Sequence, residues 1–201
     1  MKTLILAAIR CSLMFTAVTG SLVSVRPAQA YKVTLKEVGS NVVANGSGPI
    51  TLTGLTLTDF GLILTGTISA NVGLIITGGV AIVDGFSGIT GPTSFGSGGS
   101  SFTKSGSGDM VGISGFFDRL VVPQGYISGA PLSDSMIFNN ATFASLGVTP
   151  GTYEWTWGTG LPNQNFTLII GGAGVPDGGS TVSLLGCALI GMAALRRRLG
   201  C

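Results

Sequence analysis

The chain has 201 residues, with 45 % apolar residues, only 9 % charged residues and 34 glycines. Globular proteins average about a quarter charged residues, so this balance excludes an ordinary cytosolic helical protein. It fits short strands joined by tight turns, because Gly takes positive φ cheaply and β-branched residues suit a pleated surface. The net charge of +2 conceals an uneven distribution. Lys2, Arg10 and Arg26 lie in the N-terminal leader and Arg196, Arg197 and Arg198 at the other end. The stretch between holds four cations (Lys32, Lys36, Lys104 and Arg119) against eight acidic residues. Replacing the counterions of a phosphate backbone needs clustered cations, so nucleic acid is excluded as a partner.

The leader reads as a secretory signal peptide over residues 1–30. Lys2 and Arg10 supply the positive region, and residues 11–25 form an uncharged, largely apolar stretch. Ala28-Gln29-Ala30 is a small-residue cleavage site that makes Tyr31 the first residue of the mature chain. Arg26 and Pro27 interrupt the apolar run, which disfavours a permanent N-terminal anchor. The implied partners are the secretion machinery and a signal peptidase.

From Tyr31 to Gly174 the hydrophobic period is two, which predicts an exported β-domain over residues 31–174. Tyr31, Val33 and Leu35 alternate with Lys32, Thr34 and Lys36. Ile50 and Leu52, then Leu55 and Leu57, alternate with threonines, and a bulge at Gly54 is expected where the phase changes. Further strands are expected along Leu62 to Ile68, Val72 to Ile76 and Val80 to Ile82. Gly96 to Gly108 reads as a Gly/Ser-rich loop. Later strands are expected near Met110 to Phe117, Leu120 to Val122, Tyr126 to Ser128 and Ser135 to Phe138. A helical turn near Thr142 to Leu146 precedes two more, Thr152 to Trp157 and Phe166 to Ile170. The predicted fold is all-β, an antiparallel β-sandwich or jelly-roll-like domain, flanked by an N-terminal signal helix and a C-terminal transmembrane helix.

The C-terminal segment, residues 175–201, has three parts. Val175-Pro176-Asp177-Gly178-Gly179-Ser180-Thr181 leads into an apolar run ending at Leu195, and Arg196-Arg197-Arg198 follow. At 1.5 Å per residue a helix from Thr181 to Leu195 spans about 22 Å, short for a bilayer core of about 30 Å. The arginines are expected on the cytoplasmic side, which places the β-domain outside the inner membrane. These residues resemble the C-terminal sorting tags of the PEP-CTERM class, specifically the VPDSG-CTERM variety. Gly178 departs from the serine of that pattern, while Gly179 and Ser180 keep its small character. The resemblance implies an exosortase as partner, a membrane-tethered intermediate at the inner membrane, and delivery to the cell surface or beyond. Proteins with such tags are associated with exopolysaccharide. The stretch Thr149-Pro150-Gly151-Thr152-Tyr153, with Trp155-Thr156-Trp157 and Phe166-Thr167-Leu168, also resembles the segment just before the tag in proteins of this class.

No motif points to catalysis. Histidine is absent and the cysteines, Cys11, Cys187 and Cys201, all lie outside the β-domain. A serine hydrolase therefore lacks its base, and zinc lacks its usual ligands. Asp109, Asp118, Asp134 and Glu154 are available as a glycosidase pair, but spacing along the chain does not pair them. No cofactor, metal or catalytic residue is assigned. The expectation is a non-enzymatic structural or exopolysaccharide-matrix-associated protein of the cell envelope. Two alternatives stand beside it: a carbohydrate-binding module using Tyr153, Trp155 and Trp157 as a platform, and a glycan-active enzyme. The bland reading of that aromatic face is core filling.

Overall fold

The computed structural model describes residues 30–171. The leader with Ala28, the sorting motif Val175 to Thr181, the expected membrane helix and Arg196 to Arg198 lie outside the described residues. Among the described residues no helix is long and apolar enough to cross a membrane.

The chain opens with β1 (Tyr31–Val38) and β2 (Asn41–Pro49), then β3 (Thr56–Leu64), β4 (Gly66–Ser69) and β5 (Leu74–Thr77). Next come β6 (Ala81–Ser87), β7 (Ile89–Thr90), β8 (Ser100–Thr103) and β9 (Gly106–Gly108). They are followed by β10 (Val111–Ser114), β11 (Arg119–Pro123) and β12 (Pro131–Phe138). A short helix α1 (Phe143–Leu146) precedes β13 (Gly151–Trp157) and β14 (Asn165–Ile170). Two seven-stranded sheets result, ordered β7-β13-β14-β1-β2-β12-β9 and β3-β6-β11-β10-β5-β4-β8.

Alternation decides which side chains meet between the sheets. Tyr31, Val33 and Leu35 of β1, Met136 and Phe138 of β12, and Phe166, Leu168 and Ile170 of β14 turn inward. They share one buried cluster with Ile68, Ile75, Val111, Ile113, Leu120 and Val122 of the second sheet. The all-β expectation therefore holds, as two layers around one core. Pairing is antiparallel except between β1 and β14, where Tyr31 lies opposite Phe166 and Leu35 opposite Ile170. Every strand finds its neighbours within residues 31–170.

Several local expectations are corrected. Gly96 to Gly108 is not a plain loop: it contains β8 and β9. A Cβ at Gly106 would collide with the Gly78 carbonyl, so there glycine permits close approach of two backbones. Ile50 to Leu52 and Tyr126 to Ser128 are irregular connecting segments, not strands. The Tyr126 hydroxyl joins them, donating to the Ala130 carbonyl at 2.6 Å and accepting from the Ile50 N–H at 3.0 Å. Gly54 lies in the turn before β3 with φ +91, and the register shifts fall inside β3, on either side of Asp59. The expected helical turn forms as α1, held by a reciprocal cap between Thr142 and Ser145 and ended by Gly147 at φ 58.

Candidate functional site

Alternation along β13 sends Tyr153, Trp155 and Trp157 to the inner face and Thr152, Glu154 and Thr156 to the outer one. Trp155 is fully buried, and its indole N–H donates to the Pro92 carbonyl at 2.8 Å. The Trp157 indole N–H donates to the Thr51 carbonyl at 2.7 Å. Trp155 packs edge-on against Phe166 at 5.9 Å and against Phe95 at 6.5 Å. Tyr153 is half-buried and donates to the Thr149 carbonyl. With both indoles inside the core, these three residues offer no open platform for sugar rings.

The carboxylates have structural work. Asp84 accepts from the Gly61 and Gly125 N–H groups at 3.2 and 2.9 Å. Asp118, at φ 46, accepts from Gly88 and Ile89 at 2.9 and 2.8 Å. Asp109 accepts from Ser133 at 2.8 Å, and Glu37 from Phe143 at 2.6 Å, the first residue of α1. Asp59 pairs with Arg119, and Glu154 accepts from the Asn165 amide at 2.7 Å. The seventh carboxylate among the described residues, Asp134, hydrogen-bonds the Tyr31 hydroxyl inside the core. Of the four carboxylates the sequence offered as a catalytic pair, Asp109 and Asp134 come near enough to interact electrostatically. Asp118 is spent on the β6–β7 turn, and Glu154 lies on the outer face of β13.

Asp134 is the unusual member. It sits on the inward face of β12, 6 % exposed, level with Gly46 of β2. A Cβ at Gly46 would overlap the Tyr31 hydroxyl and the Asp134 carboxylate, so glycine there makes room for the pair. Burial raises the Asp134 pKa above the ordinary carboxylate range, and the nearby Asp109 charge adds to this; hydrogen bonds from Tyr31, Thr77 and the Gly46 backbone offset part of it. Burial, followed by the Asp134 charge, holds the Tyr31 phenol well above its usual value. Both effects favour neutral forms, as expected of groups removed from water.

The outer face of the second sheet was not singled out in the sequence. Ile76, Val83, Met110 and Val121 are buried in a second, smaller cluster there, with Leu62, Leu64, Leu74 and Ala81 packed against it. An apolar groove of about 380 Å³ crosses this face, with Leu62, Leu64, Leu74, Ile76 and Val121 in its walls and Phe117 and Arg119 beside them. Arg119 gives its Nη1 to Asp59, while its Nε is buried without an acceptor among the described residues. The available signal was continuous apolarity: Leu74-Ile75-Ile76 and Leu120-Val121-Val122 are apolar in both phases, which marks strands covered on both faces.

Searches of the curated proteins and of the solved structures return no match. The VPDSG-CTERM motif matches residues 174–199, which span the Pro-Asp-Gly segment, the apolar run and the arginines. A C-terminal motif of this kind implies export. The chain thus carries a VPDSG-CTERM sorting signal, a PEP-CTERM-like signal read by an exosortase.

Proposed function

We propose that the protein is a non-enzymatic structural component of the cell envelope, associated with the exopolysaccharide matrix. In this reading the leader is removed before Tyr31. The tail holds the chain transiently in the inner membrane, and an exosortase then passes the β-domain to the cell surface. The sorting motif supports the route. The observation that carries the non-enzymatic part is the use of the carboxylates: each of the seven among the described residues pairs with a backbone N–H or a neighbouring side chain. Glycoside hydrolysis needs two carboxyls facing one cleft about 5–10 Å apart, free to move protons. The test is release of reducing ends from envelope glycans by the full chain. No release is expected. Release that a single Asp→Asn or Glu→Gln change abolishes, with the melting temperature kept, would show an enzyme.

A second reading, carbohydrate binding, has moved to the other side of the strand. The outward residues Glu154, Thr156, Asn165 and Thr90 line a shallow polar cleft beside the Gly158 to Gln164 turn. Gln164 braces that turn, accepting from Thr159 and Leu161 and donating to the Thr53 carbonyl at 2.6 Å. Saturable binding of a neutral oligosaccharide, weakened by Glu154→Ala and unaffected by Thr34→Ala, would favour this reading.

A further inference from the structure

Resting on the reading in which the tail holds the chain in the inner membrane, we propose that the end of the sandwich from which the tail leaves lies on an anionic bilayer surface, with Lys36 and Lys104 against the lipid headgroups. β14 ends at Ile170, opposite Leu35, and the Gly171 N–H donates to the Leu35 carbonyl at 3.0 Å. The tail therefore leaves beside Lys36, at the end of the sheet that carries the β1–β2 turn. Ten residues, 172–181, separate Gly171 from the apolar run that begins at Val182. The eleven Cα steps between them span at most about 40 Å. β12 alone, at eight residues, is about 26 Å long. The tether keeps the domain close to the bilayer, and surface chemistry decides which side turns down.

Charge is uneven along that axis. Lys36, Val43 and Ile137 lie in one row of the first sheet, and the Ile137 N–H donates to the Ser105 carbonyl at 2.8 Å, which puts Lys104 at the same end. This end thus holds two of the four cations among the described residues and one of the seven carboxylates. That one, Glu37, accepts from the Phe143 N–H at the start of α1. The other carboxylates lie away from it. Asp134 is level with Gly46, three residues along β2 from Val43, and Asp109 is bonded to Ser133 beyond. Glu154 shares a row with Lys32. Asp84 and Asp118 hold Gly125 and Ile89, next to Tyr126 and Trp157 at the opposite end, and Asp59 is on the edge strand farthest from β8. Two exposed apolar side chains flank the lysines, Val38 and Phe102, the latter beside Phe138 and Asn139. A bilayer interface takes both kinds, cations among anionic headgroups and apolar groups just beneath. Each lysine at such a surface contributes about fivefold. That is weak for a free protein, but a tethered domain meets the surface at high effective concentration.

The leader-free chain 31–201, which keeps every strand and the tail, is placed in nanodiscs of phosphatidylcholine with or without phosphatidylglycerol. Each disc carries a lipid whose headgroup chelates gadolinium, and amide broadening is read by NMR. On anionic lipid the strongest broadening should fall on Val38, Lys104 and Asn140, and the weakest on Gly125, Gly129 and Gly160. Lys36→Gln and Lys104→Gln should each lower the ratio of the two orientations about fivefold, as should removal of the anionic lipid or more, since it removes both contributions. Raised salt should act in the same direction. Lys32→Gln, at the other end of β1, should leave the pattern as it is. Equal broadening of the two ends, or a pattern indifferent to lipid charge and to both lysine changes, would overturn the proposal. Retention on zwitterionic discs reads the tail alone. A chain retained there without lysine-dependent orientation overturns the proposal and leaves the tethered route standing, whereas a chain not retained there contradicts the route, and the proposal with it.

Discussion

The two sheets share one core but present opposite outer faces. On the first sheet, Lys32 and Thr34 of β1, Glu154 and Thr156 of β13, and Asn165 and Thr167 of β14 point away from the core, so the layer is mainly polar outside, with Val43, Ile137 and Ile169 half-buried among them. On the second, Leu62, Leu74, Ile76, Val83 and Val121 point away, and four residues there are buried although no third layer covers them among the described residues. Strict alternation makes a sheet with one wet face. Apolar runs in both phases make a sheet whose second face also avoids water.

The largest effects should come from the shared core. Trp155→Ala removes a fully buried indole and its bond to Pro92, at a cost of about 3–5 kcal/mol in chemical denaturation. Thr156→Ala, one residue along on the polar face, should stay within about 0.5 kcal/mol. Next comes the contrast between the faces themselves. Ile76→Ala should cost about 2–4 kcal/mol although its side chain lies outside the main core, because Ile76 is only 7 % exposed. Thr34→Ala on the first sheet should change little, and equal costs at the two sites would erase the distinction.

Smaller effects test the carboxylates. Asp118→Ala strips the acceptor from the Gly88 and Ile89 N–H groups and should cost about 1–3 kcal/mol. Asp134→Asn bears on pH. With its pKa raised in the folded state, Asp134 keeps its proton over a range where the unfolded chain has lost it. Its stabilisation is therefore fully present below the usual value near 3.8 and is lost as pH rises through the raised value. Each unit of that rise corresponds to about 1.4 kcal/mol. The amide cannot ionise, so the variant's melting temperature should overtake the parent's between acid and neutral pH. A parent and variant with parallel pH profiles would mean that folding does not raise the Asp134 pKa.

The parts legible in the sequence were those set by alternation and capping. Tyr31 to Leu35, Thr152 to Trp157 and Phe166 to Ile170 formed strands where expected, and Thr142 to Leu146 formed the helical turn. The core reading of Trp155 and Trp157 followed from the same alternation. What escaped was set by contacts far apart in the chain. β2 carries Asn45-Gly46-Ser47-Gly48, which reads as a turn, yet Gly46 is needed by the Tyr31–Asp134 pair, a contact across 103 residues. The glycines of β9 likewise serve close approach rather than looseness. The groove with Arg119 depends on β3, β5 and β11 coming together, which no local pattern encodes.

The most direct test of the proposed route is the intact mass of the protein recovered from culture fluid and membrane fractions of its own cells. The account predicts a species beginning at Tyr31 and ending near Val175 to Gly179, found outside the inner membrane. A species that keeps Arg196 to Cys201 and is confined to the inner membrane would contradict it, leaving the tail as an ordinary anchor.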